Sequence, residues 1–211
     1  MKKDRMYVHS AEALEGVYMA TIQEPAQEII DEFVGVSHGN FARVKELLEQ
    51  YPALVRAQAT WGETPLGAAA QTGQREIAEY LLSHGAALEI CTAAMLGMKD
   101  QVAAMLQADS KQAHALGAHD IPVMYYPALY GYSEIAELLL AHGSDINAGE
   151  GKETALHGAA GFGQTAMAEW LIEHGAQVNP KDFNGKTPLR VAMDKGHKDI
   201  GYLLWQHGGT E

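Results

Sequence analysis

The chain has 211 residues, 47% of them apolar, which is material for one substantial core or two small ones. Its 27 acids against 15 Lys and Arg leave a formal net charge of -12, which phosphate backbones and anionic membrane surfaces repel, so nucleic acid and membrane are disfavoured as partners. No window approaches the roughly 20 apolar residues of a membrane span, Met1-Lys2-Lys3-Asp4-Arg5 does not lead into a signal peptide, and the single Cys91 can close no intrachain disulfide, so a cytoplasmic, soluble protein is expected.

Residues 1–24 show no repeat; Ser10 is placed to cap a short helix through Ala11-Glu12-Ala13-Leu14 that would cover the next segment, the alternative being a loose end. From residue 25 to 209 the glycines set the organisation. Gly73, Gly131, Gly163 and Gly196 are each followed 12 residues later by Gly85, Gly143, Gly175 and Gly208. An apolar pair begins eight residues after each first glycine, as Leu81-Leu82, Leu139-Leu140, Leu171-Ile172 and Leu204-Trp205. The same spacing finds Leu47-Leu48 after Gly39 and Met105-Leu106 after Gly97, which makes six units.

Thr64-Pro65-Leu66, Thr154-Ala155-Leu156-His157 and Thr187-Pro188-Leu189 read as helix entries, Thr offering an N-cap oxygen and Pro a preset φ at the first helical position. Small residues such as Ala68-Ala69-Ala70 keep the first helix of a unit thin. A second helix, such as Gln74 to His84 or Ser133 to His142, ends on a glycine suited to the left-handed C-cap. Three departures stand out, the first being Pro122-Val123-Met124-Tyr125 where the fourth unit's Thr-led helix entry is expected. The unit at Gly97 begins almost directly at Leu88-Glu89-Ile90-Cys91 and lacks a hairpin loop, and Pro127 falls inside an expected first helix, which must start near Tyr126 or bend there.

Thr-Pro-Leu-His entries, Gly-His turns, paired leucines and Gly175-Ala176-Gln177-Val178-Asn179 together resemble the ankyrin repeat over residues 25 to 209. The resemblance implies an all-α solenoid of about six helix-turn-helix units whose core is shared between neighbours. Ser37-His38-Gly39-Asn40 is further similar to an Ala-His-Gly-Asn pattern in a group of bacterial ankyrin proteins, a likeness that implies no activity.

No catalytic constellation emerges from the sequence. His84, His142, His174 and His207 each precede the glycine that ends a second helix, where an imidazole can bond the last free carbonyls. Helices stacked about 8 to 10 Å apart do not bring four such ligands to one zinc, so neither metal nor cofactor is expected. No serine sits in a Gly-x-Ser-x-Gly setting, Gly149-Glu150-Gly151-Lys152 lacks the ending of a phosphate loop, and Asp31-Glu32 reads as solvated helix surface. The expectation is a binding module, not an enzyme.

In the family it resembles, hairpin tips and the exposed ends of first helices line a concave surface. Carried over residue by residue, this assigns partner binding to Trp61, Glu63, Gln71, Thr72, Met95, Leu96, Tyr130, Glu153, Phe162 and Phe183. The aromatic and apolar members form a ladder, with Glu63, Glu150 and Glu153 as an acidic rim. The competing reading has Met95, Leu96 and Tyr130 closing against one another inside the short unit, helped by Tyr125 or Tyr126. The acidic rim and the net charge point to a basic protein or peptide as partner of a monomer. Alternatives are an inhibitor or immunity-type subunit of one enzyme, and a small-molecule binder using the gap at the short unit.

Overall fold

The computed structural model describes residues 24–211; the helix expected at Ser10 lies outside them. Among the described residues there are twelve α-helices and no strand, arranged as six consecutive pairs. They are α1 (Gln27–Val36) with α2 (Phe41–Gln50), α3 (Pro65–Gln71) with α4 (Arg75–Ser83), and α5 (Ile90–Leu96) with α6 (Lys99–Ala108). Then come α7 (Tyr125–Ala128) with α8 (Ser133–Ala141), α9 (Ala155–Gly161) with α10 (Thr165–Glu173), and α11 (Pro188–Lys195) with α12 (Lys198–Gln206). The protein is an all-α solenoid of six helix-turn-helix units, as the glycine spacing predicts.

Local chemistry fixes the helix ends. Thr64, Thr154 and Thr187 accept the backbone N–H groups of Gly67, His157 and Arg190, so each expected N-cap forms. At the far ends, Nδ1 of His84, His142, His174 and His207 lies 2.7–2.9 Å from the carbonyl oxygen four residues earlier. Each Nδ1–H thus adds a second hydrogen bond to a last-turn carbonyl that the same histidine's backbone N–H also reaches, at 3.1–3.2 Å. His157 has another task. Buried at 1% exposure, it accepts from the Thr154 N–H at Nδ1 and donates from Nε2 to the Lys186 carbonyl, tying the fifth unit to the next hairpin tip. Burial holds its pKa below the ordinary imidazole value.

One continuous apolar core runs through all six units, from Phe33 and Leu47 through Leu81, Leu106 and Leu139 to Leu171 and Leu204. The second member of the last pair, Trp205, is 65% exposed and stacks against Tyr202, itself 60% exposed. Asp31 does more than face solvent: it accepts from the Thr60 backbone N–H and hydroxyl, anchoring the second unit's hairpin tip to α1.

The short unit changes the geometry around it. Every residue of α5 is buried, Met95 at 0% and Leu96 at 6% exposure. These two were expected on the binding face and instead belong to the core. The reason lies in the next unit: the Tyr132 ring packs over Gly97, where a Cβ would lie 2.7 Å from it, and Arg75 reaches across to the Leu96 carbonyl. The helix with the awkward proline, α7, starts at Tyr125 and is a single turn. Pro127 is therefore in a first turn, where its missing N–H removes no helical hydrogen bond.

Candidate functional site

At the turn end of the concave face, the protein fills its own groove. Tyr130 donates its hydroxyl to the Gly73 carbonyl at 2.5 Å and meets the Phe162 ring edge-on, with centroids 5.7 Å apart. Phe162 in turn rests on Gly73, whose left-handed backbone (φ +67°) and missing side chain make room for the ring. Arg75 stacks 5.1 Å from the Tyr130 ring and bonds the Tyr132 hydroxyl. Tyr125 spans the same gap, its hydroxyl 3.4 Å from the Gln71 carbonyl and its ring against Gly158. Units two, four and five thus meet over the short third unit.

This clasp corrects the expected ladder. Tyr130 and Phe162 are half-buried and serve internal packing, while Thr72 gives its hydroxyl to carbonyls of His38 and Ala68. Two groups emerge from the ten expected residues: Gln71, Thr72, Tyr130 and Phe162 near the inter-helix turns, and Trp61, Glu63 and Phe183 at the hairpin tips. Glu153 is partly buried, and burial first, then the Asp182 charge, pushes its carboxyl up to about 7.

At the hairpin tips the concave face stays open. A cavity of about 760 Å³ is lined by Trp61, Glu63, Gln71, Leu116, His119 and Phe183, among others. Trp61, Leu116 and Phe183 are 50%, 59% and 63% exposed around it. Because the third unit has no hairpin, the fourth unit's tip leans back into the vacant place: Ala118 Cβ comes 3.7 Å from where a Cβ on Gly67 of α3 would lie. That tip is tightly built. Gly117 donates to the Ile121 carbonyl at 2.9 Å, His119 and Asp120 both take left-handed backbone with φ of 56°, and Lys152 of the next tip bonds Asp120 at 2.6 Å and the His119 carbonyl at 3.3 Å.

Beneath the tip lies Glu63, 6% exposed. Its Oε2 accepts the Trp61 indole N–H at 2.8 Å. Its Oε1 has no hydrogen-bond partner, although His38 Nε2 stands 3.3 Å and His119 Nε2 3.6 Å away. Burial alone would raise this carboxyl; His38, Trp61 and His119 more than offset that and hold it below its usual value. Gln71 Oε1 and the Tyr126 hydroxyl, both buried nearby in sequence units two and four, also lack partners.

The repeat architecture agrees with a family match. The family model for ankyrin repeats (3 copies) matches residues 33–150 and 123–211. The chain belongs to the ankyrin-repeat family. Ankyrin-repeat relatives include cyclin-dependent kinase inhibitor 2A of Homo sapiens, 32% identical over 126 residues that cover 57% of this chain and 78% of the relative. Cyclin-dependent kinase 4 inhibitor B of Rattus norvegicus is 32% identical over 134 residues, 62% of this chain and 98% of the relative. These relatives are mammalian and lend no support to the bacterial grouping expected from Ser37-His38-Gly39-Asn40. As an ankyrin array the chain is a protein–protein interaction module.

Sequence reading missed Leu116, and it did not join His38 and His119 to Glu63. The signal available was the absent hairpin of the third unit, which invites a neighbouring tip to move in. Nothing in the spacing of residues 38, 63 and 119 shows that they converge.

Proposed function

We propose that this ankyrin array binds a protein partner at the hairpin-tip end of its concave face, with Trp61 and Phe183 as aromatic anchors. The observation that carries the reading is the pair of half-exposed or more exposed aromatic side chains, 50% and 63%, on the rim of a single cavity. Large amphipathic rings at the edge of a concavity are the residue type that dominates binding energy at interfaces. The net charge of -12 favours a basic partner and a salt-sensitive association rate. We read the chain as a monomer, non-catalytic and cytoplasmic; buried Cys91, its thiol pushed up to about 12, fits a reducing compartment without demanding one.

A narrower reading has the chain inhibit an enzyme by binding it, and it is favoured by the relatives whose names are those of cyclin-dependent kinase inhibitors. Affinity capture with the wild-type chain beside a Trp61→Ala, Phe183→Ala double variant tests both. Both side chains are at least half exposed, so the variant should keep its circular dichroism spectrum, with a somewhat lower melting temperature because buried Glu63 loses the Trp61 indole N–H. Loss of one specific partner with the variant supports the tip surface. Equal recovery places binding elsewhere, and a kinase among the captured proteins supports the narrower reading.

A further inference from the structure

We infer that His38, Glu63 and His119 form a binding site for a divalent transition-metal ion of the zinc class, at the floor of the concave cavity. Glu63 is the centre of the argument. A carboxylate oxygen that is buried and has no hydrogen-bond donor is costly, and such an atom persists where something else supplies positive charge. Two imidazoles converge on that same oxygen, from the first unit and from the fourth.

The separations suit a metal. Ligands bound at about 2.0–2.1 Å in tetrahedral geometry stand about 3.3–3.4 Å from one another. Glu63 Oε1 lies 3.3 Å from His38 Nε2 and 3.6 Å from His119 Nε2, and one ligand atom from each residue falls within 4.8 Å of the others. Two neutral imidazoles and one carboxylate are a donor set for zinc and its neighbours, not for calcium or magnesium.

The surrounding groups orient the three donors as metal ligands are oriented. His38 Nδ1 lies 3.2 Å from the Gly35 carbonyl and so serves as the donor there, which leaves Nε2 as the nitrogen directed at Glu63. Trp61 holds the other carboxylate oxygen, so Oε1 is the one left to coordinate. His119 is held in left-handed backbone, φ 56° and ψ 28°, a conformation uncommon for a non-glycine residue and concentrated at functional sites. Lys152 braces that turn through the His119 carbonyl. A protonated imidazole paired with Glu63 is the competing arrangement, and it would leave the second imidazole and its strained turn without a purpose. Because Glu63 and His119 line the cavity, a fourth coordination position opens toward whatever occupies it.

The test uses the full, untagged chain stripped with a chelator and titrated with zinc chloride by calorimetry, and with Co²⁺ by visible absorption. The expected result is one ion per chain, a four-coordinate Co²⁺ spectrum, and affinity lowered at least about tenfold in both Glu63→Gln and His119→Asn. Asparagine tolerates the left-handed backbone, and His119 has a half-exposed side chain, so that variant should fold even if Glu63→Gln does not. No uptake by the folded wild-type chain would overturn the site. Uptake unchanged in His119→Asn would overturn it as well, assigning the ion to histidines elsewhere on the surface.

Discussion

Tyr130 of the fourth unit donates its hydroxyl to the carbonyl oxygen of Gly73 in the second, 2.5 Å away, passing over a third unit that has no hairpin. In an ordinary repeat stack such residues would be separated by an intervening layer. Here the aromatic side chains replace that layer, which turns expected partner contacts into internal ones.

Tyr130→Phe should therefore lower stability by about 0.5–1.5 kcal/mol, the usual net contribution of one hydrogen bond, and Phe162→Ala by about 2 kcal/mol or more. Urea unfolding checks both. If Tyr130 instead met a partner, the Phe variant would unfold like wild type and bind more weakly.

Alanine at Gly117 would force its neighbours to move. Its φ of -92° is open to any residue, so the obstacle is contact: an added Cβ would lie 2.0 Å from the Tyr126 hydroxyl oxygen. Gly117→Ala should lower the melting temperature measurably, by an overpacking cost of about 1–3 kcal/mol, and should loosen the His119 turn. A melting curve identical to wild type would show that the tip shifts freely.

Much of the fold was legible in the chain. Thr64, Thr154 and Thr187 announced three helix starts, and the histidines before Gly85, Gly143, Gly175 and Gly208 did bond the last carbonyls. Those signals are local, set within four residues by backbone groups that must be satisfied. Burial of Met95 and Leu96 was legible only as the competing reading, because it depends on Tyr132 and Arg75 arriving from units on either side. The left-handed His119 was hidden too, since no glycine or asparagine marks that position. Trp61 and Phe183 kept their expected exposure because hairpin tips stand clear of the stack.

Glu153 should give stability a pH dependence. Its carboxyl is raised from 4.5 to about 7, so the folded chain holds a proton that the unfolded chain releases in that window. The stabilising contribution of the protonated form is fully present below about 4.5 and is lost as pH rises through about 7. Glu153→Gln should match wild type near pH 4 and exceed it by on the order of 1–3 kcal/mol at pH 8, read from urea midpoints at both values. A constant difference between the two proteins across that range would contradict the assignment.

Thr187 is fully buried, caps α11 through Arg190 and donates its hydroxyl to the Thr210 carbonyl, which holds residues near the chain end against the last unit. Thr187→Ala should cost about 1–2 kcal/mol, more than an exposed cap, and should speed amide exchange at Thr210. Thr187→Ser, which keeps the oxygen, should recover most of the loss.

The aromatic clasp also changes how the array comes apart. A stack held only by contacts between neighbours unzips one repeat at a time from whichever end is weaker. With Tyr130 and Phe162 both seated on Gly73, units two to five form a closed loop of contacts in which no single interface can open alone. Pulled from its two ends, this solenoid should shed its two terminal units at low force and then yield the middle four in one abrupt step.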